Sequence, residues 1–329
     1  MGMRILSGIQ PTGRYHIGNY LGAIKHWVRL QEQHEALFFI ADLHAITVPQ
    51  DPFALRQATF EKAVELLSLG INPERTTLFV QSHVPEVTEL AWIFNTITPL
   101  GELERMTQFK DKAKKKKENE NMGLLDYPVL QAADVLIYKS QGVPVGKDQE
   151  QHLELTRAIA RRFNTKFGET FPIPEALIPE QGAKILSLED PSKKMSKSDP
   201  EDSQLGLTED PSSIRRKIMK AVTDKGKQVS YNPTKKPGIS NLLLIYSLFQ
   251  GKPMKEVERK FKNKGYATFK KALADLLVEK LDPFRRKKKE IESRQVYVKE
   301  ILRQGANHAR TLAQSTMEEV REKIGLLSL

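Results

Sequence analysis

Through residue 203 the chain alternates short apolar runs with longer stretches of helical periodicity. Arg4–Ile9 (RILSGI) reads as a buried strand, ALFFIADLH as a second and TTLFVQS as a third. Between the first two, NYLGAIKHWVRLQEQ places Leu21, Ile24 and Val28 on one helical face. DPFALRQATFEKAVELLSLG predicts a helix with Asp51 as N-cap, Pro52 in the first turn and Gly70 closing it. TELAWIFNTI predicts the next helix. KDKAKKKKENENMG (110–123) reads as a helix end running into a mobile loop. DYPVLQAADVLIYKS predicts a helix capped near Asp126 or Tyr127, with Pro128 in its first turn. On that helix Tyr127, Gln131 and Asp134 recur at i, i+4 and i+7, a polar stripe on an apolar rod. VPVGKDQEQHLELTRAIARRFN reads as a short strand, a glycine turn and a helix from about Asp148. AKILSLEDPSKKMSKSDPED reads as a strand running into a lysine-rich loop.

This alternation predicts an α/β fold, a Rossmann-like doubly wound parallel sheet whose ligands sit at the carboxyl ends of its strands. After Ser203 the strand signals stop and Lys/Arg-rich amphipathic helices take over. The predicted division is an α/β domain over 1–203, a C-terminal all-helical domain over 204–295, and a last helix over 296–329 that packs back on the first domain.

Composition narrows the function classes. Apolar residues make 39% of the chain and charged residues 28%, an ordinary globular balance. No run of about 18 apolar residues suits a membrane span, and the N-terminus lacks the apolar core of a signal peptide, so a cytoplasmic protein is expected. With no cysteine, disulfides, Cys-ligated zinc and iron–sulfur clusters are excluded. A net charge of +11 favours a polyanionic partner, although solubility alone would also explain it.

Two short segments suggest chemistry. In PTGRYHIGNYLGAI (Pro11–Ile24), Gly13, His16, Gly18 and Asn19 form a bare turn entering a helix. Such a turn offers backbone N–H groups to an anion, and Gly18 leaves room for a flat group. His16 and Asn19 can donate to phosphate oxygens. Alone, it is more often a strand–turn–helix connection that needs glycine. In KKMSKSD (Lys193–Asp199), Lys194 and Lys197 can neutralise charge on a transferring phosphoryl group. Alone, a lysine run is more often a solvated face. The two together, each after a strand of one α/β domain, point to nucleotide chemistry.

The pair HIGN and KMSKS resembles the two signatures of class I aminoacyl-tRNA synthetases. SGIQPTG, HIGNYLGAI, DLHAITVPQDP, GELERMTQFK, AADVLIY, VPVGKDQEQHLELTR, KKMSKSDP and KPGISNLL narrow the resemblance to the bacterial-type tryptophanyl-tRNA synthetase family, over nearly the whole chain. The resemblance implies that ATP and L-tryptophan give tryptophanyl-adenylate and pyrophosphate, and that the tryptophanyl group passes to tRNA(Trp). It assigns ATP contacts to Gln10, Pro11, Thr12, Gly18, Asn19, Gly146, Lys147 and Asp148, to the Ile185 backbone, and to Lys194, Met195, Ser196, Lys197 and Ser198. His16, Asn19, Lys194, Lys197 and Lys112 would serve the phosphates, although Lys112 is also one lysine in a charged cluster. Asp134 would accept the indole N–H, in a pocket lined by Tyr127, Gln131, His44, Gln149, Val143, Val145, Gln10 and Leu6. A buried Asp134 could instead be met by a lysine or a helix N-terminus, and His44 could be a strand-end histidine held by a local hydrogen bond.

Three positions depart from the family pattern: Gln131 for methionine, Leu6 for phenylalanine and Lys147 for glutamate. Gln131 makes the pocket wall more polar. Mg2+ would arrive with ATP, and no protein metal site is expected, since DLH has no third ligand at suitable spacing. The basic helices, RRKKK (Arg285–Lys289) included, would meet tRNA phosphates, or else form a solvated face. A homodimer is implied by the resemblance only. Three alternatives remain at this level: a tyrosyl-tRNA synthetase, a small nucleotidyltransferase of the same superfamily, or a non-catalytic RNA- or amino-acid-binding paralogue.

Overall fold

A computed structural model describes residues 2–106, 121–146, 149–178, 184–196, 199–226 and 228–327. The chain forms two compact units. One holds residues 1–12, 27–179 and 294–329; the other holds 13–26 and 180–293. These packing units cut the chain differently from the linear division at residue 203.

The first unit is built on five parallel strands, β1 (Arg4–Ile9), β2 (Glu35–Ile40), β3 (Thr76–Val80), β4 (Gly142–Pro144) and β5 (Glu175–Leu177), in the order β3-β2-β1-β4-β5. The order reverses between β1 and β4, the switch point where doubly wound sheets open toward ligands. Registers run Ile5↔Ala36 and Leu37↔Thr77, so the apolar runs of β1 to β3 lie side by side. The near-complete burial of β2 and β3 requires cover on both faces. The helix Pro52–Ser68 is capped by the Asp51 side chain on the Ala54 N–H, as expected.

Three expectations about elements change. The helix carrying the polar stripe begins at Met122, not at Asp126 or Tyr127: Asn121 is its cap, and Pro128 lies inside it. The stretch AKILSLED forms no sheet strand among its described residues. It makes an isolated antiparallel bridge, Leu186↔Lys194, and β5, unread in the sequence, fills the edge of the sheet. The predicted start of the next helix near Asp148 becomes Glu150–Phe167.

The last helix, Gln295–Ile324, lies on β3 and the helix Glu86–Asn95. Arg310 donates to Glu86 at 3.0 Å, joined by the Gln314 amide at 3.0 Å, and Arg321 meets both oxygens of Glu89. Burial alone would raise the Glu86 carboxyl. Its backbone amide, Arg310 and Gln314 outweigh that and hold it below the ordinary glutamate value.

In the second unit the helix Tyr266–Glu292 packs on Pro211–Lys220 and on Pro237–Gln250. Tyr246, Phe261 and Phe269 pack against one another in its core, with Phe261 edge to face with both of the others. The buried Lys270 ammonium donates to the Met219 and Ala221 carbonyls, at 3.1 and 2.7 Å, and so closes the end of Pro211–Lys220. Among the described residues no helix is long and apolar enough to cross a membrane.

Candidate active site

Each unit holds one group of chemistry-bearing residues of its own. In the first unit they gather at the carboxyl ends of β2 and β3 and on the helix Met122–Ile137. Asp134 is only 2% exposed. The Gln81 amide nitrogen, just past β3, lies 2.9 Å from each of its oxygens, and His44 Nε2 lies 2.8 Å from Oδ2. Gln81 is itself oriented: its carbonyl accepts from the Leu43 and His44 backbone N–H groups at 3.1 and 3.4 Å, so the NH2 must face Asp134. Asp42 braces the same turn through the Leu43 and Ser82 amides and the Ser82 hydroxyl.

Among the described residues Asp134 therefore meets neither a lysine nor a helix N-terminus; its partners there are two neutral-capable donors. Burial raises its carboxyl above the ordinary aspartate value, the His44 and Gln81 donors pull it back, and the nearby Asp42 charge adds to the rise. His44 is tied into the site instead of being satisfied locally.

The Tyr127 hydroxyl lies 2.9 Å from His152 Nε2, and burial pushes its pKa up to about 12. Its ring stands edge-on to His44, centroids 6.3 Å apart. Tyr127 and Asp134 are buried and Gln131 half-buried along one helix face. Leu6 and Val143 belong to the core of this unit, with Val145 packed against it. Pro11 is buried, Thr12 half-buried and Gln10 exposed just after β1. Gly146 is exposed beyond β4 and accepts from the half-buried Gln149 N–H at 3.0 Å.

Gln81 and His152 were not read from the sequence. Gln81 had a findable position, the carboxyl end of a predicted parallel strand. His152 had none, since it sits inside an amphipathic helix pattern.

In the second unit, His16 caps the helical segment that starts at Ile17. Its Nδ1 accepts from the Gly18 N–H at 3.1 Å, and Asn19 Oδ1 accepts from the His16 N–H at 3.1 Å. A neutral ring bonded this way holds its proton on Nε2. Asn19 retains its NH2 as a donor. The bare face of Gly18 is used by its neighbour: a Cβ there would lie 2.9 Å from the His16 ring. The helix then passes through a π turn, Tyr20–Ile24, a deformation common at functional sites.

The KMSKS segment starts in the same unit. Met195 is buried and its N–H donates to the Ile185 carbonyl at 2.9 Å, while Ser187 N–H donates to Lys193. Lys193 is engaged by Asp190 at 2.8 Å, and the pair holds the exposed Asp190 carboxyl down at about 2. Lys194 is exposed and has no carboxylate partner among the described residues; Ser196 is half-buried. Lys112, Lys147, Asp148, Lys197 and Ser198 lie outside the described residues. Among the described residues no three His, Asp or Glu side chains gather as metal ligands.

The RRKKK run is largely matched by carboxylates. Arg285 and Arg286 pair with Asp282, Lys287 with Glu290 and Lys288 with Glu292. Arg285 also donates to the Val278 carbonyl, so it is partly structural. The more exposed of these pairs, Arg286 with Asp282 and Lys287 with Glu290, are each worth little in stability.

A family model described as tRNA synthetases class I (W and Y) matches residues 2–282. A tryptophan–tRNA ligase of Caldanaerobacter subterraneus subsp. tengcongensis is 51% identical over 325 residues, 98% of each chain. The crystal structure of tryptophanyl-tRNA synthetase from Mycoplasma pneumoniae superposes with a TM-score of 0.89 at 36% identity, covering 100% of this chain and 99% of that one. That of Campylobacter jejuni, in complex with ADP and tryptophan, gives 0.85 at 39% identity, covering 98% and 100%.

Proposed function

The chain belongs to the class I tRNA synthetases of the tryptophan and tyrosine type, and from that premise we infer that its activity is that of a tryptophan–tRNA ligase. It activates L-tryptophan with ATP and transfers the tryptophanyl group to tRNA, releasing AMP and pyrophosphate. The observation that carries the choice of amino acid is Asp134. A buried carboxylate held by Gln81 and His44 is an acceptor set for a donor-only group such as an indole N–H. The relatives at about half identity over the full length carry the same activity in their names.

In this reading the tryptophan carboxylate attacks the α-phosphorus of ATP in line, and pyrophosphate leaves. Positioning and electrostatics supply the catalysis, with no covalent protein intermediate. Tyr127, Gln131, Val143, Val145, Leu6, Gln10 and Gln149 line the amino-acid side. His16, through Nε2, and Asn19, through its amide, serve the phosphates. Pro11, Thr12, Gly18, Gly146, Lys147, Asp148 and the Ile185 backbone take the rest of the nucleotide. Lys194, Lys197 and Lys112, with Met195, Ser196 and Ser198, meet the pyrophosphate as its charge develops. Mg2+ is carried by the ATP phosphates and water.

The basic helices within 204–295 take the tRNA, consistent with the net charge of +11. The protein acts in the cytoplasm as a homodimer. Support for the dimer comes from exposed Ile46, Phe53, Trp92 and Met122. The segments bearing Ile46, Trp92 and Met122 are joined by Asn121 to Thr47 and by Asn95 to Asp126. ATP–pyrophosphate exchange with each of the twenty amino acids tests the reading: exchange should need tryptophan, and exchange with tyrosine alone, or with none, would overturn it.

A further inference from the structure

The segment KPGISNLL (236–243) matches the family pattern, yet none of its residues has a part in the reaction above. Its residues anchor the start of the helix Pro237–Gln250. At Gly238 a Cβ would sit 2.3 Å from the Val222 carbonyl, so only glycine allows the two backbones to approach. The Ser240 hydroxyl accepts from the Asn232 N–H at 2.8 Å. Asn241 is 4% exposed, and its amide clamps one residue from both sides: its carbonyl accepts from the Leu186 N–H at 2.8 Å, and its NH2 donates to the Leu186 carbonyl at 3.0 Å.

Leu186 is the centre of the small ladder from which the lysine segment leaves. Met195 N–H to Ile185 O and Ser187 N–H to Lys193 O flank it, which turns the polar groups of Leu186 away from Lys194. The Asn241 amide takes the place of a missing neighbouring strand on that far edge. With Asn241 in place, the height and register of Ile185 and Lys194 are fixed to the helix. Without it, both polar groups of Leu186 are left to find other partners.

We propose that Asn241 is a positioning residue for the nucleotide step, holding the ladder that presents the Ile185 backbone and Lys194 to ATP. This rests on the reading that Lys194 and Ile185 serve ATP. A displacement of about 1 Å in such a group can cost ~100-fold in rate. The full chain is therefore compared as wild type, Asn241→Ala, Asn241→Asp and Lys194→Ala in ATP–pyrophosphate exchange, with ATP and tryptophan varied separately and tryptophan binding measured directly. Asn241→Ala should lower kcat/KM for ATP by roughly 10- to 100-fold and leave tryptophan affinity unchanged. Asn241→Asp keeps the side-chain volume and the acceptor but loses the donor. It should show the same split, and it decides the matter if the alanine variant does not fold. A folded variant with wild-type ATP dependence, or one that loses ATP and tryptophan binding in equal measure, would overturn the inference. Wild-type exchange by Lys194→Ala would instead remove the reading beneath it.

Discussion

On the function proposed above, replacing Asp134 with alanine should separate recognition of the indole from the rest of the reaction. Oδ2 takes both Gln81 and His44, whereas Oδ1 takes only the Gln81 amide, so Oδ1 keeps room for one more donor. A hydrogen bond to a charged acceptor is worth about 1.5–3 kcal/mol. At about 1.4 kcal/mol per factor of ten, its loss should raise the KM for tryptophan roughly 10- to 150-fold. The KM for ATP should stay where it is. The structure adds a consequence that the apolar helix pattern did not show. Alanine also removes the acceptor of Gln81 and of His44, and each buried donor left unmatched costs about 1–3 kcal/mol. The variant should therefore fold but melt earlier, and exchange must be measured below its melting transition. The milder change Asp134→Asn keeps the volume and one acceptor oxygen, so it should lie between the two. A folded Asp134→Ala with wild-type tryptophan affinity would refute the argument: the carboxylate would then serve only to hold His44 and Gln81.

Lys194→Ala should leave tryptophan binding intact and slow adenylate formation about 100- to 1,000-fold, the usual loss for one preorganised charge in a transition state; pre-steady-state adenylate formation reads this directly. tRNA affinity should fall steeply between low and moderate salt, since each neutralised phosphate releases counterions; a flat dependence in filter binding would mean the +11 charge is incidental. Trp92→Glu, at an exposed position among the apolar groups described above, should shift sedimentation from dimer to monomer, and an unchanged dimer would move the interface elsewhere. Glu86 has a lowered pKa in the folded chain, so its bond to Arg310 stabilises above the ordinary glutamate value of 4.5 and is lost as pH falls through the lower folded value. Thermal unfolding across that acid range should therefore fall less steeply for Glu86→Gln than for wild type.

What the sequence reveals depends on how far the physical cause of each feature reaches. β2 and β3 were legible because each carries an apolar run buried at nearly every position, and β1 because Ile5 and Leu6 are buried at the centre of the sheet. β5 has three residues, none of them buried, and leaves no periodic trace. Pro128 suggested a helix start because proline is favoured in a first turn. In the structure its ring sits within the helix, where the missing N–H forfeits a bond to the Leu124 carbonyl that Asn121 capping and close packing offset. Asp134 stood out because a carboxylate on an apolar helix face demands an explanation. Its supports did not stand out. Gln81 reaches it across 53 positions of sequence, and Asn241 reaches Leu186 across 55. Both are neutral amides, which donate and accept at once and so satisfy two polar groups without leaving a charge or a period in the pattern. On the proposed reading a ligand's chemistry selects the carboxylate and the lysine, and residue type alone suggests that chemistry. The fold selects the amides behind them, and only the coordinates bring each amide to the group it holds. The same division explains the ladder at Leu186: its residues promised a strand, but the edge that would have made it one is supplied by a single side chain.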